Sequence, residues 1–176
     1  MADPFDLLAL EPRFALDAKA LEQRHRELSK ALHPDRHSGA PATERRLALS
    51  RAIEVNDAFR LLRDPVRRGE ALLQRRGWAE DLEKTTASPA LLMEVMESRE
   101  ALQEAQAHRD RAGITELGKT MEARRAKVLA SLSKALDEAP SAPLEQGALL
   151  LAELRYLQRF LDEVSALLED LDDAGA

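Results

Sequence analysis

The chain has 176 residues, 44% of them apolar and only 3% aromatic, with a formal net charge of −6. That is enough apolar matter for one sizeable core or two small ones. Cysteine is absent, which excludes disulfides, thiolate catalysis and cysteine-ligated zinc or iron–sulfur centres held by this chain alone.

Richness in Ala, Leu, Glu and Arg, with few Gly, Pro, aromatic or β-branched residues, weights local propensity towards helix, so the expected fold class is all-α. The N-terminus is acidic where a signal peptide would be basic. No apolar run approaches the roughly 18 residues of a membrane span, so a soluble, cytoplasmic chain with no membrane partner is expected. Residues 1–78 hold 15 Lys and Arg against 12 Asp and Glu, whereas residues 79–176 hold 11 against 20. Two modules with different partners follow, and the acidic half argues against nucleic acid as the main ligand.

Asp3-Pro4, Asp64-Pro65 and Ser88-Pro89 share a helix-start signal. The polar side chain accepts from orphan amides, and Pro at the first helical position gives up only an amide that had no partner. Asp17 and Thr43 are further capping candidates. A short first helix offers Phe5 and Leu8. The second aligns Leu21, His25, Leu28 and Leu32, and the third aligns Ala48, Ala52, Val55, Phe59 and Leu62. These faces pack together, and a fourth helix, "PVRRGEALLQRR", ends at Gly77. The expected boundaries are a first module over 1–76, a linker over 77–88, a three-helix bundle over 89–171 and a frayed tail over 172–176. The bundle pattern runs over 89–108, 113–138 and 143–170, and its short connections predict antiparallel neighbours.

Between the second and third helices stands "ALHPDRHSGAP". Pro34 drives His33 out of the helical region, so the second helix ends there and Asp35 falls in a stiff, exposed turn. Taken alone, this is an ordinary helix stop, with His33 near the C-terminal dipole. Its setting says more. "FDLLAL", a basic-flecked second helix, "HPD" at 33–35 and "VNDAFRLLRDPVRR" at 55–68 together resemble the J-domain family of chaperone partners. The resemblance implies that His33, Pro34 and Asp35 dock on the ATPase domain of a DnaK-type heat-shock chaperone and speed its ATP hydrolysis. It also implies that Lys19, Arg24, Arg26, Lys30 and Arg36 supply the cations facing that chaperone, with Glu22 and Glu27 diluting the patch.

The segment "SPALLMEVMESREALQEAQA" has more apolar residues than one core stripe needs. At about 100° per residue, Leu91, Val95, Ser98, Leu102 and Ala105 make a sufficient inward face. Leu92, Met93 and Met96 point elsewhere, together with Glu97, Glu100 and Glu104. They are either a docking surface or a flank covered by another helix. Tyr156 and Phe160 pose the same alternatives on the last helix.

A J-domain followed by a small acidic helical module resembles the HscB family of iron–sulfur cluster co-chaperones over nearly the whole chain, with "LLMEVMESRE" and "LRYLQRFLDEV" as the C-terminal matches. That resemblance implies an adaptor rather than an enzyme. It would bind an IscU-type cluster scaffold through Leu92, Met93, Met96, Glu97, Glu100, Glu104 and Tyr156 and bring it to an HscA-type chaperone. No catalytic residue, metal or cofactor is expected. A J-protein for some other client is the alternative. An enzyme or metal protein built on His33, Asp35 and His37 lacks a nucleophile with an oxyanion motif or a helical pair of histidines. A nucleic-acid module on Arg45 to Arg76 is broken up by Glu44, Glu54, Asp57, Asp64 and Glu70.

Overall fold

The computed structural model describes residues 3–138 and 143–173. Every regular element among them is helical, as the composition predicts. The chain divides into two compact units, Met1–Gly77 and Trp78–Ala176.

The first unit contains α1 (Pro4–Leu7), α2 (Ala18–Ala31), α3 (Ala42–Arg63) and α4 (Pro65–Arg75). Three of the four starts follow the capping chemistry read from the sequence. Asp3 accepts from the amides of Phe5 and Asp6, Asp17 from that of Lys19, and Asp64 from those of Val66 and Arg67. Thr43 does not cap α3. That helix begins one residue earlier, behind Pro41, and has no side-chain cap; the extended backbone of Pro41 sets the direction instead. Gly77 ends the α4 segment with φ +93°, a conformation that glycine adopts without a Cβ clash.

Phe5, Leu8, Leu21, Val55, Leu62, Leu72 and Leu73 form the core. His25 closes its edge by stacking on Phe59, with ring centroids 4.1 Å apart, and its Nε2 lies 2.8 Å from the Asn56 amide oxygen. Phe14, outside the helices, is also buried, under the Arg68 guanidinium at 5.1 Å. Arg75 ties α4 to α1 through Asp3 at 2.6 Å and Asp6 at 3.3 Å, and these two carboxylates raise its pKa further above its ordinary value. Asp64→Ala removes the acceptor for two amides of α4 and should destabilise the first unit by about 1 kcal/mol. A chemical denaturation midpoint matching wild type would contradict that reading.

The second unit is a bundle of α5 (Pro89–Ala107), α6 (Arg111–Ser133) and α7 (Leu144–Asp173). Ser88 caps α5 through the amide of Leu91, while its hydroxyl donates to Glu153 of α7 at 2.7 Å. Leu91, Val95, Leu102 and Ala105 of α5 point inward, as do Ile114, Met121, Val128 and Leu132 of α6 and Leu154, Leu157 and Val164 of α7. Phe160, left open by the sequence, is fully buried and belongs to the core. The close approach of α6 to α7 depends on Gly118, where an added Cβ would lie 3.0 Å from Val164 Cγ1.

α6 gives way to a π-helical turn, Lys134–Glu138, that buries Ala135 and Leu136. Most of the connection after it, residues 139–142, lies outside the described residues, as do tail residues 174–176. α7 continues through Asp173, into the segment expected to fray. Near its end Asp172 pairs with Arg111, which holds that carboxyl below its ordinary pKa through a hydrogen bond.

Within the stretch expected as linker, 77–88, the part after Gly77 packs on α7. A 3-10 turn, Leu82–Lys84, and the burial of Leu82 and Ala87 fix it there. Arg155 of α7 donates to the carbonyls of Leu82 and Thr85. The guanidinium adds a second donor to the Leu82 carbonyl, which already accepts from the Thr85 amide, and ties the end of that turn to α7.

Candidate functional site

α2 stops at Ala31, and His33 adopts φ −61°, ψ 134°, the extended shape demanded by a following proline. Pro34 opens a 3-10 turn, Pro34–His37, rather than an irregular loop. The turn is held from several sides. Asp35 N–H donates to His33 Nδ1 at 3.3 Å, the Ser38 hydroxyl to the Asp35 carbonyl at 3.0 Å, and Arg45 of α3 to the Ser38 carbonyl at 3.5 Å. His37 Nε2 reaches the Ala31 carbonyl at 3.2 Å and therefore carries a proton.

His33 Nδ1 also lies 3.5 Å from the Asp35 carboxylate. One nitrogen cannot accept from the amide and donate to the carboxylate together. With the amide bond made, Nδ1 serves as an acceptor and does not bond the carboxylate. The Asp35 carboxylate is 88% exposed and the His33 ring 58%. Both present their polar atoms to water while the backbone beneath them is fixed.

Of the five cations expected beside this turn, Lys19, Arg26, Lys30 and Arg36 are exposed and make no ion pair among the described residues. Arg24 is different. Its Nε donates to the Leu8 carbonyl at 3.2 Å and its Nη1 to Glu27 at 3.0 Å, so it braces α2 against the end of α1. Hydrogen bonds from Gln23 and then Arg24 hold the Glu27 carboxyl below its ordinary pKa. Sequence reasoning missed this because the carbonyl partner stands 16 residues away. It also missed Leu47, Leu49 and Ile53, large apolar side chains left exposed on α3 off its core line.

On α5, Met93 and Met96 are each 64% exposed, Leu92 is half-buried, and Glu97, Glu100 and Glu104 are exposed. Helical geometry puts Met93, Met96 and the three glutamates within about 60° of one line, a stripe about 17 Å long with an apolar start and an acidic end. Two ion pairs tie α5 to its neighbours, Glu94 to Arg124 of α6 at 3.7 Å and Arg99 to Glu163 of α7 at 3.6 Å. Glu97, Glu100 and Glu104 make no ion pair among the described residues. Tyr156 is half-buried on α7. No three His, Asp or Glu side chains among the described residues converge to hold a metal ion, and none of their helices is long and apolar enough to cross a membrane.

Residues 87–165 match a family profile described as the HSCB C-terminal oligomerisation domain. The chain is 38% identical over 165 residues to a co-chaperone HscB homologue of Bordetella pertussis, covering 93% of this chain and 95% of the relative. Among solved structures it resembles chaperone HscB from Vibrio cholerae, with TM-score 0.84, 30% identity and coverage of 97% of this chain and 99% of that one. It also resembles the human co-chaperone HscB, with TM-score 0.82, 25% identity and coverage of 94% and 82%. With likeness along both units and the Pro34 turn standing between α2 and α3, the chain belongs to the HscB family, a J-domain co-chaperone and not an enzyme.

Proposed function

We propose that this co-chaperone works in iron–sulfur cluster biogenesis in the cytoplasm. The first unit docks on an HscA- or DnaK-type chaperone and stimulates its ATPase through His33, Pro34 and Asp35. The second unit binds an IscU-type cluster scaffold through Leu92, Met93, Met96, Glu97, Glu100, Glu104 and Tyr156.

The observation that supports this reading best is the Asp35 carboxylate, held on a braced turn yet 88% exposed. An acid this solvated adds little to folding, whereas a partner arginine gives it a charge-assisted bond. Lys19, Arg26, Lys30 and Arg36 nearby complement an acidic chaperone surface. Arg24 adds charge but is already committed to Leu8 and Glu27, so it contributes through the shape of α2. On the second unit, flexible methionines beside unpaired glutamates suit a partner surface that is apolar and basic. Joining both sites in one chain raises the concentration of scaffold at the chaperone without any new contact.

The test is a chaperone ATPase assay with and without scaffold. The chain alone should stimulate hydrolysis, and scaffold should raise the stimulation further. Stimulation indifferent to scaffold would point to a J-protein for another client, and no stimulation would reject both readings.

A further inference from the structure

Between the segment after Gly77 and the first turns of α7 lies an open groove of about 300 Å³ that shares no residue with the α5 stripe. Its apolar lining is Trp78, Ala148 and Leu149. Leu149 is 47% exposed although its neighbours Ala148, Leu151 and Ala152 are fully buried, so it faces this opening and not the core. The polar rim is acidic. Glu80, Asp81 and Glu145 line it against one cation, Lys84, which stands 3.4 Å from Asp81. Glu80 and Glu145 make no ion pair among the described residues. The Trp78 indole N–H is buried with no acceptor among those residues. A buried donor left without an acceptor is unfavourable, and a carbonyl brought within its reach would relieve it.

We infer that this groove docks an extended polypeptide segment of a partner protein that carries a large apolar residue next to lysine or arginine. The apolar side chain lies over Trp78 and Leu149, and the cation pairs with Glu80 and Glu145. A carbonyl of the bound chain meets the indole once the ring, which no hydrogen bond locks, turns outward. The volume sits at the bottom of the roughly 300–1,000 Å³ of small-molecule pockets. The acidic rim repels the phosphates of nucleic acids and of anionic membrane surfaces.

Trp78 is the sole tryptophan, so indole fluorescence, excited outside the absorption of Tyr156, reports on this groove alone. The probes are acetyl-Lys-Leu-Leu-Lys-amide and its counterpart with glutamate in place of lysine. The basic peptide should produce a saturable change that weakens with added salt, and the acidic peptide none. Leu149→Ser, at an exposed position, should keep wild-type circular dichroism and bind the basic peptide at least about tenfold more weakly. Glu80→Gln with Glu145→Gln should also weaken it while leaving the spectrum of the free chain in place. No saturable change, equal response to both peptides, or undiminished binding by Leu149→Ser would each overturn the inference. So would sedimentation showing that a second copy of the chain fills the groove and excludes the peptide.

Discussion

Asp35→Ala is expected to abolish stimulation of the chaperone ATPase, a loss of at least about tenfold, because removing one partner of a desolvated charge pair typically costs 2–5 kcal/mol. The fold should survive. The Asp35 carboxylate makes no ion pair among the described residues beyond His33 at 3.5 Å, and the bonds that shape the turn use its backbone amide and carbonyl, which alanine retains. Helical content and scaffold affinity should therefore match wild type. Asp35→Asn, which preserves size but not charge, should fail almost as completely if charge is what the chaperone senses. Collapse of the first unit in either variant would instead make the residue a structural stop and remove the main support for its proposed role.

The second large effect is expected from Met93→Ser with Met96→Ser. In the proposed complex the scaffold buries two exposed thioethers, so their loss should cost roughly 2–3 kcal/mol of binding. That is about 30- to 150-fold in Kd. Thermal stability should hardly move, since both side chains are 64% exposed in the free protein. Leu92 is left untouched in this variant because it is half-buried, so a change there would mix folding with binding. Isothermal titration against the scaffold, paired with a melting curve, separates the two. Unchanged affinity would take the scaffold site off this stripe.

Why some of this was legible in the sequence and some was not follows from the range of the forces involved. Caps at Asp3, Asp17, Asp64 and Ser88 act over two or three residues, so composition and order revealed them. Periodicity likewise revealed the inward face of α5 and placed Met93 and Met96 off the core line. What it left undecided was whether a neighbour covers an off-line residue. Phe160 and Met96 posed similar questions, and only packing separates them: one is fully buried, the other exposed. Contacts across long sequence separations were invisible for the same reason. Arg24 on the Leu8 carbonyl and Arg155 on the carbonyls of Leu82 and Thr85 have no local signature. The uncapped start of α3 escaped because Pro41 supplies the turn geometry that Thr43 was expected to provide.

The cross-links from Glu94 to Arg124 and from Arg99 to Glu163 neutralise the flanks of α5 and leave Glu97, Glu100 and Glu104 as a ridge without an ion pair among the described residues. Long-range attraction and close-range fit are thereby assigned to different ends of one helix. In the proposed role the ridge would govern how often a cationic partner arrives, a rate that falls with ionic strength, and the methionines how long it stays. Tuning either end by substitution would alter capture or residence separately.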